Sequence, residues 1–166
     1  MKRAVIFLFF LLAPNTVFSA EPVYFADASL KAAVQERLGI SDPNADDMLA
    51  LTTLSAANRG ISDLTGIDHA ENLTYLDLSQ NEIIDISLVS DLTNLTYLYL
   101  SYNEIIDISP VSGLPNLTYL RLDWNQIVDI SPVADLPSLT YLRLGGNEII
   151  DISPVAGLTN LVLIQA

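Results

Sequence analysis

Leu73, Leu95, Leu117, Leu139 and Leu161 recur at a fixed interval of 22 residues. A strict period of this length restricts a chain to stacked copies of one supersecondary unit. Four full units run 73–94, 95–116, 117–138 and 139–160. Residues 51–72 form a degenerate unit that keeps Leu51, Leu54, Ile61, Leu64 and Ile67 in register, and 161–166 begin another. The shared pattern is L-x-x-L-x-L-x-x-N-x-I-x-D-I-S-P-V-x-x-L-x-x. In "LTYLDL" the leucines alternate with other residues, which is strand period. Leu76 and Leu78 fall on one side of that strand; Tyr75, Asp77 and Ser79 fall on the other. A single such strand has nothing against which to bury its apolar side. Stacked copies form a parallel sheet over one continuous core, where each buried Leu or Ile contributes about 1.5–3 kcal/mol.

The segments "LTYLYLSYNEI" and "LTYLRLGGNEI" both carry L-x-x-L-x-L-x-x-N-x-I. From about Tyr24 onward the chain resembles the leucine-rich repeats of the bacterial internalins. The resemblance implies an α/β leucine-rich-repeat solenoid. Its curved parallel β-sheet lines the concave face, its convex turns are short and 3₁₀ or irregular, and an α-helical cap closes its N-terminal end. It also implies a non-enzymatic module whose concave face binds a protein partner.

The domain plan that follows is a signal peptide over 1–19, a helical cap over 20–50 and repeats over 51–166. Asp27 suits the N-cap of a helix running to Leu38, with Leu30, Val34 and Leu38 on one face and Gly39 at its stop. Asn44 suits the start of a second short helix reaching Met48 and Leu49, with Asp46 and Asp47 in its first turn.

Asn81, Asn103, Asn125 and Asn147 stand where each strand turns away, and a stacked amide there can satisfy buried loop backbone. Ser109, Ser131 and Ser153 are placed to cap a short turn, with Pro110, Pro132 and Pro154 at its first position. Leu88 replaces the proline in the first full unit, which loosens that turn. Asp85, Asp107, Asp129 and Asp151 are assigned to backbone hydrogen bonds at the same corner. A calcium ladder is the alternative, but one carboxylate per repeat falls short of the ~6–8 oxygens calcium takes.

Lys2 and Arg3 precede an unbroken apolar run from Ala4 to Ala13, then Pro14 and small residues near Ser19 and Ala20. This is the plan of a secretory leader, cut after Ser19. The run is too short for a bilayer, which needs ~20 residues. The protein is therefore expected outside the cytoplasm: secreted, periplasmic or on the cell surface. Net charge is −13, and losing Lys2 and Arg3 takes it to −15. So acidic a chain repels phosphate backbones and anionic bilayers, so neither nucleic acid nor, after leader removal, a membrane is an expected partner. Cysteine is absent and His69 is the one histidine. Cys/His catalysis and zinc clusters are thereby excluded, and no phosphate loop or nucleophile elbow occurs. No cofactor is implied. "NLT" at Asn72, Asn94 and Asn116 matches a glycosylation sequon, but the repeat itself generates the match.

The outward strand positions carry what differs between copies. One column is Tyr75, Tyr97, Tyr119 and Tyr141; the next is Asp77, Tyr99, Arg121 and Arg143. Then come Ser79, Ser101, Asp123 and Gly145, and at the rim Gln80, Tyr102, Trp124 and Gly146. Tyr, Trp and Arg are the residue types enriched at binding hot spots. The tyrosine column has a rival explanation, cross-strand packing inherited by duplication. The expected partner-binding set is Tyr75, Asp77, Tyr97, Tyr99, Tyr102, Tyr119, Arg121, Asp123, Trp124, Tyr141 and Arg143. Two other functions compete: a structural spacer within a longer surface protein, and carbohydrate stacking on the tyrosines. A further apolar column, Ile84, Ile106, Val128 and Ile150, is assigned to partial burial between coils, with a second contact surface as the alternative. "LVLIQA" ends the chain on an apolar strand. Truncation of a longer protein with a missing C-terminal domain, a shortened gene product, or a covering chain over Leu161, Leu163 and Ile164 would each account for it.

Overall fold

The computed structural model describes residues 20–165; the leader assigned to 1–19 lies outside the described residues. Two helices open the fold, α1 (Ala28–Leu38) and α2 (Ala45–Met48). Six three-residue strands follow: β1 (Thr53–Ser55), β2 (Tyr75–Asp77), β3 (Tyr97–Tyr99), β4 (Tyr119–Arg121), β5 (Tyr141–Arg143) and β6 (Leu163–Gln165). They form one parallel sheet in chain order. This is a leucine-rich-repeat solenoid, with a curved sheet on the concave side and a 3₁₀ turn after each of the first five strands.

The interval fixes the register. Tyr75 pairs with Tyr97, Tyr97 with Tyr119 and Tyr119 with Tyr141, so each position stacks on its own copy. Leu76, Leu98, Leu120 and Leu142 are 0% exposed inside the coil. The asparagines knit the coils as the sequence implied. Asn103 Oδ1 accepts from Ile83 N–H at 3.1 Å, and its Nδ2 donates to the carbonyls of Leu78 and Leu100, each at 3.0 Å. Asn81, Asn125 and Asn147 make corresponding bonds. A second ladder, unrecognised in the sequence, uses the last position of each unit. The side chains of Asn72, Asn94, Asn116 and Asn160 donate to Leu49, Glu71, Thr93 and Pro137 carbonyls in the coil before. The sequon asparagines are thus structural members of the stack.

The corner differs from the sequence reading in one respect. The 3₁₀ turns Ser109–Gly113, Ser131–Asp135 and Ser153–Gly157 begin at the serine and carry proline second, and no serine caps them. The aspartate two residues earlier supplies the oxygen: Asp107 Oδ1 accepts from Ser109 N–H at 2.8 Å. Asp85, Asp129 and Asp151 do the same for Ser87, Ser131 and Ser153. An aspartate can reach backbone two residues on, where the shorter serine at the first turn position cannot cap itself. Leu88 leaves its turn at the same five-residue length, Ser87–Asp91.

The cap closes the open end of β1. Leu30, Ala33 and Val34 of α1 are buried and Leu38 packs against the core. Asp27 Oδ1 accepts from Ser29 and Leu30 N–H, and its Oδ2 accepts from Ser62 N–H at 2.9 Å, so one side chain caps the helix and ties it to the first coil. Asn44 and Asp47 form a reciprocal capping box on α2, which accounts for the acidic group there. His69 ends a 3₁₀ turn, exposed, 3.9 Å from Asp68.

Packing is uniform until the last full coil, Ile86 being 1% exposed like its next two copies. Ile108 and Ile130 are 1% exposed, whereas Ile152, at the same position one coil on, is 56% exposed. The side chains of Leu163 and Ile164 lie outside the described residues.

The concave face as candidate functional site

The outward side of β2–β5 gathers five of the seven tyrosines of the chain onto one surface. Tyr99 bridges the two outermost columns, its ring centroid 5.4 Å from both Tyr75 and Tyr119. Tyr75–Tyr97 and Tyr97–Tyr119 are tilted pairs at 6.2 and 5.9 Å, and Tyr119 stacks flat on Tyr141 at 3.8 Å. Burial, a hydrogen bond to the Tyr141 hydroxyl and neighbouring phenols push the Tyr119 phenol up to about 12. Burial likewise raises Tyr75 and Tyr99, helped by Asp77 at the first and by Tyr75 at the second. Tyr75, Tyr99 and Tyr119 are therefore held in the neutral form at physiological pH.

Arg121 and Arg143 bring positive charge to an otherwise acidic molecule. Both are anchored by Asp123, which is 3% exposed beneath them. Arg143 Nε donates to Asp123 Oδ1 at 3.0 Å, Arg121 Nε lies 3.6 Å from Oδ2, and Ser101 Oγ donates to Oδ2 at 3.0 Å. A buried carboxylate is tolerated only when paired and hydrogen-bonded, and this one is. Burial works against the Arg143 cation, but Asp123 and Tyr141 outweigh it and raise its pKa. The Arg121 guanidinium carbon also sits 5.8 Å from the Tyr99 ring centre. Its Nε is buried without a hydrogen-bond partner. Asp123, assigned from sequence to contact a partner, instead positions the two arginines from below. Asp77 is engaged too, accepting from Ser79 N–H at 3.0 Å.

At the rim, Tyr102 and Trp124 stack with centroids 5.8 Å apart and planes 13° from parallel. Both sit in left-handed backbone, φ 59° and 56°, and are 48% and 57% exposed. The turn out of the strand demands this conformation: each N–H donates to a carbonyl of the next coil, Tyr102 to Asp123 and Trp124 to Gly145, both at 2.8 Å. One coil on, Gly146 takes the position at φ 74°, and a Cβ there would meet the Trp124 ring at 2.7 Å. Gly146 is the floor on which the indole lies.

The surface also begins earlier than the sequence suggested. Thr53 and Ser55 of β1 pair with Tyr75 and Asp77, extending both columns onto the degenerate unit. Arg37 of α1 reaches over to Thr53, donating to its carbonyl at 2.9 Å. A recess of about 320 Å³ lies between these residues and Tyr75. The in-register Leu54 was the available signal.

The profile described as Leucine Rich repeats (2 copies) matches residues 71–113 and again 93–136. Internalin F of Listeria monocytogenes is similar at 28% identity and TM-score 0.75, over 90% of this chain and 53% of that one. The functional domain of InlJ from Listeria monocytogenes, which includes a cysteine ladder, is similar at 32% identity and TM-score 0.76, over 85% and 31%. A leucine-rich-repeat protein of Leptospira interrogans is similar at 31% identity and TM-score 0.61, over 71% and 31%. The chain is a bacterial internalin-like leucine-rich-repeat protein. It spans about half the length of internalin F and about a third of the InlJ chain. No curated protein matches it by sequence. The cysteine ladder is a feature of InlJ; this internalin-like chain has no cysteine. Among the described residues no helix is long and apolar enough to cross a membrane.

Proposed function

We propose that this internalin-like chain is an exported, non-enzymatic binding module that grips a protein partner on its concave face. Leucine-rich-repeat chains of this kind commonly mediate protein–protein interaction. One observation carries the reading here. Tyr102 and Trp124 hold large exposed aromatic rings in a backbone conformation that glycine supplies without strain one coil later. Left-handed φ in bulky residues costs ~1–3 kcal/mol and clusters at functional positions. The turn accepts glycine at this site, so the turn itself does not call for the rings. Beside them, neutral phenols and two anchored guanidiniums offer a platform for a partner with apolar and acidic side chains. Tyr119 and Tyr141 occupy each other's faces at 3.8 Å, which weighs against sugar stacking on that pair.

The test is a pull-down with the mature chain beside an Arg121→Ala/Trp124→Ala variant of unchanged circular dichroism. A protein retained by the wild type and lost by the variant supports the concave face. A partner retained equally by both removes it.

A further inference from the structure

A second surface lies on the flank between the sheet and the 3₁₀ turns. Ile84, Ile106, Val128 and Ile150 are 57%, 56%, 44% and 90% exposed, which overturns the assignment of this column to partial burial between coils. The reason is local. Ile83 and Ile86 both point into the core, and the two residues between them have no inward space left. The coils stay in step here, Glu104 N–H donating to Ile83 carbonyl at 3.0 Å and Gln126 N–H to Ile105 at 2.9 Å. Four apolar side chains therefore form one straight row at the ~4.8 Å spacing of stacked strands.

Carboxylates flank the row on both sides. Glu82, Glu104 and Glu148 are exposed two residues before it, with Gln126 at the same position of the third full unit. Asp85, Asp107, Asp129 and Asp151 are exposed immediately after it. The aspartates are held by their backbone bonds, so this negative edge is rigid rather than adaptable. Neither edge contains a Lys or Arg. Duplication alone does not explain the row. The degenerate coil has Ser62 at this position, while the third full unit keeps a β-branched apolar residue, Val128, although its neighbours Trp124 and Gln126 diverge.

We infer that this flank docks a basic amphipathic helix of a protein partner, its apolar stripe on the row and its Lys or Arg residues on the two acidic edges. The spacing selects the helix. One helical turn advances ~5.4 Å, close to one coil of the stack, so a stripe at i, i+3/i+4 and i+7 meets successive apolar side chains. An extended strand laid along the row offers a same-face residue only every ~6.6–6.8 Å and falls out of step at once. Charge excludes the other occupants. A second copy of this chain would set carboxylates against carboxylates, and an anionic bilayer would be repelled likewise.

The site is tested with a fluorescent Leu/Lys peptide of about 18 residues, five turns of amphipathic helix, beside a peptide of the same composition in scrambled order. Anisotropy is measured on the full mature chain and on Ile84→Ser/Ile106→Ser/Val128→Ser, whose exposed positions leave the fold and every charge in place. The amphipathic peptide is expected to bind the wild type at least ~10-fold more tightly than it binds the triple variant, the loss that ~1.4 kcal/mol of buried apolar contact produces. Arg121→Ala/Trp124→Ala is expected to bind it as the wild type does, which separates this flank from the concave face. Equal binding to the triple variant, or equal binding of the scrambled peptide, reduces the interaction to bulk charge and overturns the inference.

Discussion

Two adjacent positions of each coil follow opposite rules. At Asn81, Asn103, Asn125 and Asn147 every unit agrees, and each amide is committed to backbone in its own coil and the one before. One residue earlier, Gln80, Tyr102, Trp124 and Gly146 share a left-handed backbone and nothing else. Both positions make the same turn. In the first the side chain closes the turn, so only one residue type serves. In the second the backbone alone makes the turn, so the side chain is free to vary even where its backbone is strained. Identity between copies marks what the solenoid needs, and disagreement marks where another requirement has acted.

The largest expected effect tests the first half of that contrast. Asn103→Ala leaves Ile83 N–H, inside the coil, without its partner, and takes one of two amide donors from each of the Leu78 and Leu100 carbonyls, which keep Asn81 and Asn125. A buried group left unpaired costs ~1–3 kcal/mol, and the two weakened carbonyls add to it, so the loss is about 2–3 kcal/mol, at the lower end of a Leu→Ala change in the core. Urea unfolding measures it; a loss below about 1 kcal/mol would mean that water replaces the amide.

Asp123→Ala comes next. It removes a buried carboxylate from under Arg121 and Arg143, whose side chains are 33% and 34% exposed. Breaking a fully buried pair costs ~3–5 kcal/mol, and with arginines that reach solvent the cost falls to about 1–2 kcal/mol. Partner affinity is expected to fall further than stability does, because both guanidiniums lose their anchor. Equal retention of the concave-face partner by Asp123→Ala and wild type would show that the arginines need no positioning.

Where the cap meets the first coil, an ionisable residue does what asparagine does elsewhere. Burial raises the Asp27 pKa, but backbone N–H groups of Ser62, Leu30 and Ser29 outweigh it and hold it below the ordinary 3.8. A lowered carboxylate pKa stabilises the fold above the unfolded-state value, and that contribution is lost as pH falls through the folded-state value. Acid is therefore expected to loosen this joint while the neutral asparagine ladder holds. Hydrogen exchange below pH 3.8 reads it: Ser62 and Leu30 amides lose protection before those of Ile83 and Ile105. Simultaneous loss at all four would make cap and solenoid one cooperative unit.

These contrasts also explain what the sequence made legible. The interval of 22 residues sets the register of a parallel stack, so the tyrosine ladder and the asparagine ladder follow from counting. Counting gives the side of the strand on which a residue lies, but not its depth. The column of Ser79, Ser101, Asp123 and Gly145 counts as outward, yet Ser101 and Asp123 are 2% and 3% exposed, because the strand is already bending into its turn beneath the arginine side chains. The positive φ at Tyr102 and Trp124 was equally hidden. Glycine and asparagine advertise that conformation, and here only Gly146 and Asn58 do so. Duplication explains the sequon match at Asn72, Asn94 and Asn116, and duplication is also what stacks these residues into a ladder.

The smallest effect separates strain from display at the variable position. Gln80 sits at φ 59° and carries no ring to stack. Gln80→Gly relieves left-handed strain of ~1–2 kcal/mol and loses roughly 0.5–1 kcal/mol to the freer unfolded chain. The net is a gain of about 0.5 kcal/mol. Trp124→Gly relieves the same strain but also forfeits the Tyr102 stack, worth ~0.5–1.5 kcal/mol, so its net change is near zero or slightly negative. Two glycine substitutions at equivalent sites thus differ in sign, and the difference between their unfolding midpoints measures the aromatic pair. If both gave the same gain, the Tyr102–Trp124 stack would contribute nothing to the folded state. The two rings would then be held at the rim with no energetic return from each other, which strengthens the case that a partner supplies it.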